Sequence, residues 1–149
     1  MSTEYPYNIK VKFPGDLDYI PAIRKFVHDV LQVSGFTNKF AFRSEIIVDE
    51  ICNNAVNFGC ESNESEVELA CQIFQDRIEF LIKDQGKNKL HIERLKNVIQ
   101  QKDATENPDW GLGLDIVRML SEKVDIKVDQ SNVTTVHVVR KREMAEKQK

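Results

Sequence analysis

Five short segments of this chain alternate apolar and polar residues with a period of two, and that pattern leaves few architectures open. Ile9, Val11 and Phe13 alternate with Asn8, Lys10 and Lys12; Val67, Leu69, Cys71 and Ile73 alternate with Glu66, Glu68, Ala70 and Gln72. Ile78, Phe80 and Ile82 interleave with Arg77, Glu79, Leu81 and Lys83, and Val124, Ile126 and Val128 with Asp125, Lys127 and Asp129. The last segment, Val133 to Val139, is rich in β-branched residues on both faces. Gln75-Asp76 separates the second and third segments and Gln130-Ser131-Asn132 the last two, gaps short enough for antiparallel hairpins. Strands with one apolar face need helices on that face and can leave the other to water.

The helices are readable too. Leu17, Ile20, Ile23, Val27, Val30 and Leu31 keep helical spacing, with Pro21 tolerated in the first turn and Gly35 beyond the end. A second helix is predicted from about Asn38 to Phe58, with Ile47, Ile51, Ala55 and Phe58 feeding the core and Gly59 taking a left-handed cap. A third starts at Gly113 or Leu114 and carries Ile116, Val117 and Leu120 on one side; a weaker helical stretch covers Ile92 to Gln101. The fold predicted is an α/β two-layer sandwich, a mixed, mostly antiparallel sheet with helices on one face.

A length of 149 residues fits a single domain, and a domain of that size buries roughly 70% of its unfolded surface. We expect one unit over 1–149, ordered from about 8 to 140, with the charged stretch from Arg140 onward fraying as a tail. Apolar residues make up 41% and the formal net charge is -3, which excludes disorder as the main state. No apolar run approaches a membrane span, and Met1 to Pro6 lacks the form of a signal peptide. Cys52, Cys60 and Cys71 suit neither a disulfide framework nor a zinc site, with Cys52 and Cys71 read as core fillers. These features point to the cytoplasm. The mild acidity argues against nucleic acid as a partner. His28, His91 and His137 have no mutual metal-ligand spacing.

Three constellations carry candidate chemistry. Glu50, Asn53, Asn54 and Asn57 fall within one arc of roughly 100° on the second helix. Asn54 offers a neutral oxygen suited to Mg²⁺, which keeps few protein ligands beside phosphates, and Glu50 could accept a proton. Three asparagines in five positions form helix poorly, a local cost that a site would explain, although a solvated helix face accounts for the pattern as well. Asp84-Gln85-Gly86 ends the third strand, and Asp84 shares the parity of Ile78, Phe80 and Ile82. A carboxylate turned toward the core needs a donor, such as an adenine amino group, unless the triplet is simply a turn. Gly111-Leu112-Gly113-Leu114 opens the third helix, where free N–H groups and the helix dipole suit phosphate; glycines are also common before helices for no such reason.

In order and spacing, Glu50-x-x-x-Asn54-Ala55, Asp84-x-Gly86 and Gly111-x-Gly113-Leu114 resemble the N, G1 and G2 boxes of the GHKL ATPase superfamily. Gly111 to Val117, Val124-Asp125-Ile126 and Val133-Thr134-Thr135-Val136 look most like the bacterial anti-sigma-factor serine kinases. The resemblance runs from about Ile9 to Val139 and implies a Bergerat-type ATP-binding fold. It further implies Glu50 as general base, Asn54 as Mg²⁺ ligand, and Asn57 beside them in the nucleotide site. Asp84 would hold the adenine amino group, Gly86 would pass under the base, and Gly111, Leu112, Gly113 and Leu114 would wrap the phosphates. Thr134 would sit near the adenine, and residues from about Lys87 to Trp110 would form a lid. Two places depart from the pattern: Asn88 stands where the G1 box usually has a second glycine, and Asp109-Trp110 where kinases of this kind tend to place an arginine.

The leading expectation is an ATP- and Mg²⁺-dependent serine/threonine kinase that phosphorylates a STAS-type anti-anti-sigma partner and sequesters a sigma factor. A homodimer is compatible with it. The alternative is a GHKL-fold interaction module that binds nucleotide weakly or not at all and transfers nothing. Asn88 and Asp109 favour the alternative; Glu50 favours the enzyme.

Overall fold

The computed structural model describes residues 5–60, 64–85 and 115–143. The chain forms β1 (Tyr7–Pro14), a 3-10 turn (Leu17–Tyr19), α1 (Ile20–Val33), α2 (Asn38–Gly59), β2 (Glu66–Ile73) and β3 (Arg77–Asp84). Residues 115–119 are helical, and β4 (Lys123–Val128) and β5 (Thr134–Lys141) complete the sheet. The expected helical stretch Ile92 to Gln101 lies outside the described residues, as does the start of the third helix.

The strand order is β1-β2-β3-β5-β4, and all four pairings are antiparallel. The sheet is therefore simpler than the mixed one expected. Two hairpins, β2–β3 and β4–β5, lie side by side with β5 against β3, so no described neighbours run parallel. Both hairpins use the short gaps seen in the sequence. Phe74 N–H donates to Arg77 O at 2.9 Å, and Asp129 Oδ1 accepts from Ser131 and Val133 N–H at 2.8 and 3.0 Å. Asn132 takes the left-handed conformation there, with φ 66°, as asparagine tolerates. β5 is β-branched on both faces because it is an interior strand, flanked on each side.

One face of the sheet presents Phe13, Val67, Leu69, Cys71, Ile78, Phe80, Ile82 and Val138, all buried, to the two helices. Lys10, Lys12 and Lys83 lie exposed on the opposite face, where Glu79 bonds both Arg77 (2.7 Å) and His137 (2.6 Å). Burial alone would raise the Glu79 pKa, but Arg77 and then His137 outweigh it and hold the carboxyl below its ordinary value. Cys52 and Cys71 do fill the core; burial pushes both thiols up, Cys71 to about 12.

α1 buries Ile20, Ile23, Val27 and Leu31. It ends in a Schellman motif: Gly35 N–H reaches Gln32 O at 3.1 Å, Phe36 N–H reaches Leu31 O at 3.0 Å, and Gly35 has φ 89°. Leu17 lies outside α1, in the 3-10 turn, and is exposed, so it does not extend the apolar stripe. α2 starts at Thr37, whose hydroxyl accepts from Phe40 N–H at 3.2 Å. It buries Phe40, Ile47, Val48, Ile51, Cys52, Ala55 and Val56 against the sheet. Phe58 is 41% exposed rather than in the core: it shares the azimuth of buried Phe40 but lies in the last turn of α2. Gly59 does not take a left-handed cap either. It is the last helical residue, its φ is not positive, and Cys60 after it is extended.

The expected fraying is corrected for residues 140–143; residues 144–149 lie outside the described residues. Arg140 sits inside β5 with 4% exposure. Its Nη1 donates to Phe40 O (3.0 Å) and Ser44 Oγ (2.7 Å), its Nε donates to Leu120 O (2.8 Å), and the guanidinium lies 4.0 Å from the centre of the Phe40 ring. Arg142 Nη1 reaches Gly35 O at 2.9 Å, and its guanidinium stacks on Phe36. Sequence charge suggested solvent, but long cationic stems can bury while their planar heads bond carbonyls. Arg140→Ala should lower the unfolding free energy by about 3 kcal/mol in denaturant titrations, through lost packing and orphaned acceptors. Arg140→Lys should recover only part of that, since an ammonium cannot reproduce the fork.

Candidate functional site

Asp84 is the last residue of β3, and the alternation that puts Ile78, Phe80 and Ile82 in the core carries its carboxylate to the same side, with 6% exposure. Opposite it in register stands Thr134, the first residue of β5, 1% exposed. Thr134 Oγ1 is buried with no hydrogen-bond partner among the described residues. A hydroxyl in that state costs free energy unless something bonds it. Above the pair lies the end of α2. Gly59 is buried there against the Asp84 carboxyl group. Cys60 follows, half-buried; burial first, and the nearby Asp84 carboxylate second, raise its thiol pKa. The expected turn of Asp84 toward the apolar side is therefore observed, and its neighbours are the last turn of α2 and the start of β5.

The second group runs along α2. Glu50 and Asn54 are half-buried and Asn57 is exposed. Asn53 differs from them: its Nδ2 donates to Asp49 O at 2.6 Å, a bond to its own helix. The side chains of Glu50, Asn54 and Asn57 make no hydrogen bond or ion pair among the described residues. At 100° per residue, these three point away from the buried stripe that holds Ile51, Ala55 and Gly59. With 1.5 Å of rise per residue, Glu50 lies about 13 Å and Asn54 about 7.5 Å back along the axis from Gly59. A ligand that touched both groups would thus pass over the flank of α2, with one end at Asp84 and Thr134 and the other beside Glu50. That span is on the scale of a nucleoside triphosphate from base to γ-phosphate.

Gly86 and Gly111 to Leu114 lie outside the described residues, as do Asn88, Asp109, Trp110 and the rest of the expected lid. The helical residues that follow Leu114 are described. Val117 is fully buried in the core, and Leu120 O is bound by Arg140, which also holds the first turns of α2. No group of three or more His, Cys, Asp or Glu side chains that could cage a metal occurs among the described residues. A Mg²⁺ held by one or two protein oxygens and a polyphosphate needs no such cage, and the half-buried Asn54, without a side-chain partner among the described residues, fits that role.

Residues 13–139 match the family of the histidine kinase-like ATPase domain. The chain belongs to that family. Two relatives carry the name serine-protein kinase RsbW. The one from Staphylococcus epidermidis is 30% identical over 132 residues, covering 85% of this chain and 82% of its own. The one from Bacillus velezensis is 28% identical over 138 residues, covering 90% and 85%. Two solved structures share the fold of this histidine kinase-like ATPase domain, each at 13% identity. The SiaB-SiaC complex from Pseudomonas aeruginosa aligns with TM-score 0.66 over 88% of both chains. The RsbU and RsbW domains of a Mycobacterium tuberculosis protein align with TM-score 0.63 over 92% of this chain and 33% of that one. The sandwich of one antiparallel sheet under helices is the architecture of that group.

Two residues at this site escaped the sequence reading. Gly59 was assigned to a cap because a glycine ending a helical pattern usually is one, and nothing local marks its contact with a residue 25 positions on. Cys60 carries no motif. The Thr134 hydroxyl gives a direct measurement. Thr134→Val keeps the shape and removes the orphaned oxygen, so thermal or denaturant unfolding of the ligand-free protein should show a gain of about 1 kcal/mol. A loss of similar size would mean that the hydroxyl is bonded in solution.

Proposed function

We propose that this protein binds ATP with Mg²⁺, phosphorylates a serine or threonine of a STAS-type anti-anti-sigma partner, and sequesters a sigma factor in the cytoplasm. The whole chain acts as one ATPase domain, and a homodimer is compatible with the sheet face that the described helices leave uncovered. The observation that carries the reading is the buried Asp84 carboxylate beside a Thr134 hydroxyl that has no partner among the described residues, in a chain whose relatives are named serine-protein kinases. A carboxylate accepts from the exocyclic amino group of adenine, and a threonine hydroxyl can reach the same base directly or through water. The Thr134 hydroxyl loses water on folding, so a base that bonds it returns what burial removed.

The transfer itself uses the other end of the site. Glu50 accepts the proton of the partner's hydroxyl as that oxygen attacks the γ-phosphorus. The bond from phosphorus to the β–γ bridging oxygen breaks, and ADP leaves with the negative charge. Mg²⁺, held by Asn54 and the phosphates, would offset charge on the phosphoryl oxygens. Asn57 lies one turn beyond Asn54 toward the base. Gly86 would let the base approach the backbone closely, and the amides of Gly111, Leu112, Gly113 and Leu114 would hold the phosphates at a helix start. Asn88 and Asp109 favour the second reading, a module that binds nucleotide weakly and transfers nothing, because phosphoryl transfer relies on positioned positive charge.

Calorimetry with ATP and ADP separates binding from chemistry. Asp84→Asn should weaken both nucleotides by about tenfold, the value of one charge-assisted hydrogen bond; unchanged affinity discards the adenine assignment. With labelled ATP and a candidate partner, Glu50→Gln should slow phosphorylation by roughly 10²–10⁴-fold while nucleotide affinity stays within about threefold. Weak or absent ATP binding by the wild type, without labelling of any partner, would select the interaction module.

A further inference from the structure

Gly59 holds the clearest unexplained choice of residue near the site. A Cβ placed on it would lie 2.3 Å from Asp84 Cγ and 2.5 and 2.6 Å from the two carboxylate oxygens. Carbon atoms in contact sit about 3.5–4.0 Å apart, so the whole carboxyl group occupies the space that a side chain would need. Turning the carboxyl about its own axis gives no relief, because the carbon is the nearest atom. The group would have to swing away from α2, and it is buried, with Thr134 opposite. Local conformation supplies no competing reason for a glycine. Gly59 is helical, its φ is not positive, and alanine is the better helix former.

We propose that Gly59 is a positioning residue for base recognition: by lacking a side chain it lets the Asp84 carboxylate lie under the last turn of α2, where an adenine nucleotide meets it. This rests on the reading of Asp84 given above. Gly59 touches no part of the nucleotide in this scheme and acts only through Asp84. It therefore governs affinity for the base shared by ATP and ADP, and leaves the discrimination between them untouched.

A double-mutant cycle on the full chain tests this, with ADP and ATP binding read by calorimetry and folding by thermal unfolding. Gly59→Ala should lower affinity for ADP and ATP by the same factor, at least about tenfold. Asp84→Ala should lower it comparably. In the Asp84→Ala background, adding Gly59→Ala should change affinity by less than about twofold, because the three atoms nearest to the added methyl are then gone. If Asp84→Ala weakens binding while Gly59→Ala binds like wild type, the positioning role fails and the adenine reading stands. The role also fails if the two losses multiply. If Asp84→Ala itself binds like wild type, the adenine reading falls and takes this role with it. Should Gly59→Ala not fold, the double variant must fold and bind as Asp84→Ala does; a double variant that remains unfolded overturns the proposal.

Discussion

The burial of one face of α2 on one face of the sheet is the contact around which everything else is arranged. Phe40, Ile47, Ile51, Cys52 and Ala55 form the helix side of it, and Leu69, Cys71, Phe80, Ile82 and Val138 the sheet side. Apolar area taken from water is the main favourable term in a domain of this size. It also fixes the azimuth of the helix. Once the apolar stripe of α2 is committed to the sheet, Glu50, Asn54 and Asn57 must face outward, and the end of the helix must come down on the end of β3. The site is a consequence of that one choice.

The two ends of this interface are held differently. At the start of α2, Arg140 reaches from β5 to Phe40 O and Ser44 Oγ, and to the carbonyl of Leu120. One buried guanidinium thereby joins the sheet, α2 and the helix that follows the glycine-rich segment. At the far end the Asp84 side chain lies directly against the helix backbone. A glycine lets helix and carboxylate touch. The first arrangement ties three elements through one side chain; the second brings two buried polar residues, Asp84 and Thr134, together beneath the end of the helix.

The chain belongs to the histidine kinase-like ATPase family, and the function proposed above would give these features a common purpose. A nucleotide is long and chemically uneven, with an apolar base at one end and concentrated charge at the other. In that proposal a buried strand-end carboxylate would serve the base, and a half-hydrated helix face the charged end. The sheet supplies the first and α2 the second, and their axial offset is on the scale of such a ligand.

Local periodicity was enough for the strands, both hairpins and the inward turn of Asp84, because alternation of side chains is a property of each strand taken alone. Gly35 beyond the first helix was legible as well, because a glycine after an apolar helical stripe is a local signal. The order of the strands was not: β5 lies between β3 and β4, and a period of two is silent about neighbours. Arg140 reads as part of a solvated tail by charge, and only packing shows that its stem is covered and its head bonded. Gly59 reads as a helix stop by every local rule. The sequence determined which residues could form strands, helices and a nucleotide-like set of polar groups. Tertiary structure alone decided which of them meet, because contacts between residues distant in the chain depend on how whole faces dock and leave no mark in the spacing of either partner.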